Sequence, residues 1–420
     1  MSRTLQKSGS GWSVGVVHLA LAIGGFAIGT AEFATMSLLP FFARGLGIDQ
    51  PTAGHVVSAY ALGVVIGAPL LAVLSARASR RTLLLVLMAT FAIGNAASAL
   101  APTYGWLLLA RFASGFPHGA YFGTAALVAA SLVPVERRTR AVGRVMLGLT
   151  TATILGVPLA NALGQLLGWR WGFAAVSLLA LLTCVALGLV VPRDGPAPEA
   201  SPLREFDALR NAQVWLTLAI GAVGFGGLFA VYTYLTPTLL AVTRAGPATL
   251  PVVLAVFGVG MTLGNLVVPR FADRALMPAV GGLLLWSAGA LALFTIAAGD
   301  LWSVSLAVLA IGMGGALGSL LQTRLMDVAG TAQGLAASLN HAAFNVANAL
   351  GPWLGGLAIA GGYGWTSTGW VGCALALGGF AIWATAMVTN ARASRRGALP
   401  PAGTIIFHDT PGEPLCVHDG

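Results

Sequence analysis

Charge is what this 420-residue sequence has least of. Only 8% of its residues are charged and 57% are hydrophobic, whereas a soluble domain carries roughly 25% charged residues. A water-soluble globule of that composition would expose large apolar patches and associate, so the solvent it suits is lipid. Cysteine is also scarce. Cys184, Cys373 and Cys416 are scattered without metal or redox spacing, which argues against a disulfide framework. No G-x-x-x-x-G-K-[ST] loop and no H-E-x-x-H pair occurs, so neither a nucleotide-phosphate cradle nor a metalloprotease site is encoded. No cofactor and no metal is expected.

What the chain does have is apolar stretches of about 20 residues along its whole length, each long enough to cross roughly 30 Å of hydrocarbon as a helix. Lipid offers no partners for bare backbone groups, so the spans must be helices or a closed barrel. The runs are too long for barrel strands and lack strict alternation. The pattern predicts an all-α membrane protein with twelve spans, at 15–41, 53–75, 82–101, 105–132, 142–166, 171–191, 213–241, 250–271, 279–298, 302–324, 332–359 and 366–389. The formal charge of +9 and the pI near 10.3 would suggest nucleic acid in a soluble chain. Here placement decides otherwise. With the N-terminus inside, Arg and Lys collect on the inner side, and the outer side keeps only Arg44, Arg170 and Arg244. That asymmetry predicts a cell-membrane protein with both termini cytoplasmic and no nucleic-acid partner.

Residues 192–212 break the apolar pattern with four prolines and several charges and read as a cytoplasmic linker. They divide the chain into a six-helix bundle at 1–191 and a second at 213–392, leaving 393–420 as a disordered cytoplasmic tail. Across the linker GVVIGAPLLAVLSARAS (63–79) aligns with GMTLGNLVVPRFADRAL (260–276). Gly156 aligns with Gly351, and Gly168–Trp169 with Gly364–Trp365. Such a parallel repeat is how many transporters build a midplane site.

Three stretches sharpen the reading: GTAEFATMSLLP (29–40), LLLARFASGFPHGA (107–120) and GLTTATILGVPLANALGQLLGWR (148–170). With the twelve spans and the linker, they resemble the major facilitator superfamily. The closest likeness is to its twelve-helix drug:proton antiporter group, of the arabinose-efflux-permease type. The resemblance covers roughly 12–392. It implies a secondary transporter that works by alternating access and exports a small organic compound, drug-like or a sugar or metabolite, in exchange for protons. The partners implied are that substrate, protons and the bilayer, and the family default is a monomer.

Glu32 is the only acid well inside any predicted span. At 1.5 Å per residue it lies about 13 Å below the outer end of helix 1, and Arg111 lies about 9 Å below that end in helix 4. The two therefore reach similar depth. Desolvation and a nearby guanidinium push a carboxylate's protonation in opposite directions, so a site alternating between such settings can take up and release a proton. Glu32 is the candidate coupling acid, with recognition of a cationic substrate and a purely structural bond as the other readings. The arginine matching Arg111 is implicated in proton coupling in the family, while a structural arginine bonded to carbonyls is equally open. Arg111, Gly115, His118, Gly119 and Phe122 share one helical stripe, and His118 joins the coupling candidates. His341 in helix 11 has an imidazole able to titrate near neutrality and joins them too.

Asn340, Asn345 and Asn348 of helix 11, Asn161 of helix 5, and Tyr232 and Tyr234 of helix 7 are candidates for a substrate cavity; packing and interhelical bonding are the plain alternatives. Gly115, Gly119, Gly148, Gly156, Pro158 and Gly164 resemble the family's packing and antiporter motifs. The loop AVLSARASRRTLLL (72–85) matches its gating motif in part: Arg77, Arg80 and Arg81 are kept, Ala76 stands where an acid is usual, and Ala72 and Ser79 replace glycines; Gly67, just before the loop, joins the gating candidates. The second-half copy retains Asp273 and Arg274. Uptake by symport, a non-transporting sensor and an intramembrane enzyme are the competing functions.

Overall fold

A computed structural model describes residues 11–75, 78–134, 138–193, 210–272, 275–329 and 333–395. The gating candidates Arg77, Asp273 and Arg274, most of the linker and the tail beyond 395 lie outside the described residues. Within them the chain is helical. Its rods are α1, Val14–Ser37, carried past Leu38 by Leu39–Leu46; α2, Gln50–Leu74; α3, Arg80–Ala99; α4, Tyr104–Ser131; α5, Arg138–Thr151, continuing through a π turn at Ala152–Gly156 into Val157–Leu166; and α6, Trp169–Val190. After the linker come α7, in three segments Ala212–Gly224, Gly226–Thr233 and Leu235–Ala241; α8, Leu250–Ala272; α9, Leu276–Ala297; α10, Leu301–Met313 and Leu317–Val328; α11, Gln333–Ala358; and α12, Ser367–Arg395.

Ten of these rods are long and apolar enough to cross a membrane, making this a multi-pass membrane protein; α4 and α11, of the same length, are not among the ten. They are the rods that carry Arg111 and His118, and His341, Asn345 and Asn348. Polar caps mark several starts. Asp49 accepts from the Thr52 amide at 2.7 Å, Thr103 from Trp106 at 3.3 Å, and Asp300 from Trp302 and Ser303, both at 3.0 Å. Each satisfies amides that have no partner within the first helical turn. Gly168 (φ 100°) and Gly364 (φ 78°) turn the chain into α6 and α12 in the left-handed region that side chains avoid.

The same helix pairs pack on both sides of the linker. α2 lies on α4 as α8 lies on α10, α3 on α6 as α9 on α12, and α1 on α5 as α7 on α11. Glycine makes the first two contacts close. A Cβ at Gly63 would stand 2.1 Å from the Phe112 carbonyl oxygen, and one at Gly260 would stand 2.2 Å from that of Leu309. The aligned register fails in α5. Gly351 abuts the Gly226 carbonyl and Ala230 amide, as Gly148 abuts those of Ala22 and Phe26, whereas Gly156 meets the side chains of Thr30 and Phe26. The geometric counterpart of Gly351 is therefore Gly148. Sequence from the two sides of the linker meets where α2 packs on α11, α5 on α8 and α1 on α7.

Candidate functional site

Glu32 sits where these cross-linker contacts converge. It is 7% exposed, and its Oε1 accepts a hydrogen bond from Asn348 Nδ2 of α11 at 3.0 Å. Beside it, Phe33 packs on Phe229 and Tyr232 of α7 and Phe257 of α8, with ring centroids 5.5–6.2 Å apart. The carboxylate is thus held at the seam by an amide of α11, next along α1 to a residue packed among aromatic rings of α7 and α8.

Arg111 is fully buried at the same depth. Its Nη2 donates to the Ala31 carbonyl, one residue from Glu32, at 3.4 Å, and its Nη1 donates to Asn95 Oδ1 at 3.1 Å. Asn95 is oriented by its own bond to the Phe91 carbonyl at 2.9 Å. The guanidinium lies 4.3 Å over the Tyr60 ring and 5.2 Å from that of Phe173. Among the described residues its partners are all uncharged, and its Nε has none. An arginine at membrane depth costs at least about 2.5 kcal/mol on insertion scales; carbonyl oxygens and ring faces offset that here.

Two histidines meet across the seam. The His118 and His341 ring centroids are 6.2 Å apart, His341 stacks on Phe122 at 5.4 Å with 4° between planes, and Tyr60 Oη lies 2.9 Å from His118 Nδ1.

The other candidates scatter. Asn161 donates to the Ser37 carbonyl at 2.9 Å, satisfying a group beside the break in α1, and accepts from Gln165 at 2.7 Å. Tyr234 donates to the Pro352 carbonyl at 2.9 Å, so its hydroxyl is committed away from Glu32. Tyr232 packs on Phe257 at 4.2 Å, and its hydroxyl has no partner. Asn340 donates to Gln322 at 2.8 Å, and Asn345 to the His341 carbonyl at 3.0 Å. The side-chain oxygens of Asn345 and Asn348 are unpartnered. Arg81 donates to the Gly188 carbonyl of α6, and Arg80 begins α3. Gly67, Gly115 and Gly119 let α2 and α4 touch, Gly164 meets Leu38, and Pro158 follows the π turn.

Sequence reasoning missed Asn95 and Tyr60. Asn95 had a signal, an amide inside an apolar span; Tyr60 had none beyond its ring. A G-x-S-x-G spacing at Gly11–Gly15 places Ser13 at the start of α1, away from the strand-to-helix turn a nucleophile elbow needs. No group of three metal-ligating side chains occurs among the described residues.

The family model described as Major Facilitator Superfamily matches residues 21–340. The inner membrane transport protein YdhP of Escherichia coli K12 is 40% identical over 83% of this chain and 90% of its own. A chloramphenicol resistance protein of Streptomyces lividans is 34% identical over 79% of this chain and 86% of its own. Among solved structures, a bacterial homologue of the human lysosomal transporter Spinster, inward-facing and unoccupied, superposes with a TM-score of 0.65. It is 18% identical and covers 96% of this chain and 100% of its own. Helices packed in the same pairs on both sides of a linker, a fold shared with a solved transporter and a family match across most of the length agree: this chain belongs to the Major Facilitator Superfamily of membrane transporters.

Proposed function

We propose that the chain is a proton-coupled exporter of a small organic compound. It has twelve spans in two six-helix bundles, 1–191 and 213–392, that tilt about a central site, with both termini cytoplasmic. The observation that carries this reading is the Glu32–Asn348 hydrogen bond, which ties a membrane-depth carboxylate to the other half of the molecule. When the halves tilt, α1 and α11 part and Glu32 changes surroundings. Its protonation is then linked to which side the cavity faces, because a ligand shifts an equilibrium only by binding its two states differently. A proton crossing 100 mV contributes about 2.3 kcal/mol per charge, enough to drive export of a neutral compound. Arg111 holds the α1–α4 contact on the Glu32 side, and the aromatic rings beside Phe33 suit an apolar or aromatic substrate. Efflux is supported by the motifs of α1, α4 and α5 and by the chloramphenicol resistance relative.

Proteoliposomes holding the full chain test the proposal. Chloramphenicol and a panel of sugars are assayed under an imposed pH gradient of either sign. Export driven by the inward proton gradient is expected for at least one compound, with Glu32→Gln abolishing it while inserting normally. Full gradient-driven transport by Glu32→Gln refutes Glu32 as the coupling acid, and a requirement for the opposite gradient makes the protein an uptake symporter.

A further inference from the structure

Glu32 needs a route for its proton, and the aromatic and imidazole groups beside it are ordered in a way the sequence did not announce. We propose that Tyr60 is the relay through which Glu32 passes its proton toward the end of the molecule where α4 ends and α11 begins, by way of His118 and His341. The inference rests on Glu32 being the coupling acid.

Tyr60 is 1% exposed, and its ring lies beneath the Arg111 guanidinium, which fixes the phenol beside the stretch of α1 that carries Glu32. Its hydroxyl is 2.9 Å from His118 Nδ1. In the relay the phenol donates to His118 Nδ1, in the tautomer with the His118 proton on Nε2. The next imidazole, His341, is 6.2 Å away between centroids, on the other side of the seam. His118 stands seven residues beyond Arg111 along α4, and His341 seven residues before Asn348 along α11. Each step is about 10 Å of helix, and both run to the same end. The groups therefore descend in order from the depth of Glu32.

Several neighbouring polar hydrogens are committed elsewhere: Tyr121 donates to the Leu21 carbonyl at 2.8 Å, Asn95 to Phe91, and Arg111 Nη1 and Nη2 to Asn95 and Ala31. Among the described residues, the titratable and charged groups facing Tyr60 are Glu32 from α1 and Arg111 and His118 from α4, with His341 of α11 beyond His118; α3 and α6 offer Asn95 and Phe173 to the same Arg111.

The transfer balances without a phenolate. Glu32, released from Asn348, breaks its O–H bond as the phenol oxygen gains that proton, directly or through one water. The phenol gives its own proton to His118 Nδ1, and His118 Nε2 gives its proton to His341 or to water beyond. One proton leaves Glu32, one emerges at the far end, and rotation of the phenol O–H together with a flip of the His118 ring resets the chain.

The test needs no substrate. The full chain in lipid is subjected to a pH jump, and the carboxylic acid band of Glu32, identified by its loss in Glu32→Gln, is followed by time-resolved infrared spectroscopy. Removal of a positioned proton-transfer group costs on the order of 100-fold or more, so Tyr60→Phe is expected to slow the band's relaxation at least tenfold at unchanged amplitude. His118→Gln, which keeps a hydrogen-bonding group but cannot carry a proton through, should slow it likewise. Tyr104→Phe, which removes a phenol bonded to His55 at the opposite end of α4, should relax at the wild-type rate. Relaxation of Tyr60→Phe or His118→Gln within twofold of wild type overturns the relay, and so does equal slowing in Tyr104→Phe. If Glu32→Gln leaves the band in place, the coupling assignment itself fails; if it removes the band while Tyr60→Phe relaxes normally, only the relay fails.

Discussion

A buried guanidinium with no carboxylate in hydrogen-bond contact is held by what accepts its hydrogens, and among the described residues Asn95 is the one side chain that does so for Arg111. Asn95→Ala leaves a charged N–H unpaired in a space with little room for water. The cost expected is about 1–3 kcal/mol, read as a lower unfolding temperature in detergent. Asn95→Asp instead supplies a carboxylate and should restore the melting temperature while locking Arg111 in an ion pair. An Asn95→Ala protein as stable as wild type would show that the ring faces of Tyr60 and Phe173 suffice. At this scale the sequence is legible where a residue type clashes with its surroundings. Glu32 and Arg111 stand out as charges in apolar runs, and the placement of both at one depth follows from counting residues. Tyr60 does not stand out, because an aromatic ring is at home in any membrane helix. Only the face of α2 turned toward α4 gives its hydroxyl a histidine to meet.

Some helix starts carry a side-chain signature that the span reading did not use. Asp49 precedes α2 as a cap residue should, and the Thr52 amide and hydroxyl hold its carboxyl below the usual carboxylate range. A folded-state pKa below the unfolded value, ordinarily near 3.9, means that the stabilisation is complete above that value. It is lost as pH falls through the lower, folded one. Asp49→Ala should therefore lower stability at pH 7 by about 1 kcal/mol or less, since the site is exposed. The difference from wild type should vanish in strong acid. Melting curves of both proteins from pH 7 downward check this, and a gap that persists below the folded pKa would assign the loss to packing. The break at Leu38 and the π turn at Ala152–Gly156 are marked in the sequence only by Pro40 and Pro158 just beyond them, which flag a break without fixing its form. Each depends on what lies opposite: Asn161 takes the carbonyl of Ser37 beside the first, and Gly258 of α8 packs on the backbone of Thr153 in the second. Packing from a distant part of the chain sets their geometry, which the local prolines alone do not contain.

The repeated glycines at 63 and 260 were legible as an internal repeat, and the structure gives them equivalent places, at the α2–α4 and α8–α10 contacts, where a Cβ would stand 2.1 and 2.2 Å from a carbonyl oxygen. The same alignment carried into α5 failed: Gly148, eight residues before the aligned Gly156, makes the contact that Gly351 makes, a shift of about two helical turns. Whole-molecule motion is the remaining question, and the seam at the Asp49 end is where it can be tested. There Ser58 donates to the Ala349 carbonyl at 3.0 Å. A Cβ on Gly54 would stand 2.2 Å from the Tyr234 hydroxyl, and Leu38, Phe42, Val56 and Tyr234 share one apolar cluster with Ile359 and Trp365 packed against it. If the halves tilt as proposed, α2 and α11 must part at this end once in every cycle. A Ser58→Cys/Ala349→Cys pair, made with Cys184, Cys373 and Cys416 replaced, should form a disulfide under mild oxidation. Gradient-driven transport should then fall by at least tenfold and return on reduction. Transport that continues with the cross-link in place would mean that this end stays shut throughout, and alternating access at this seam would have to be abandoned.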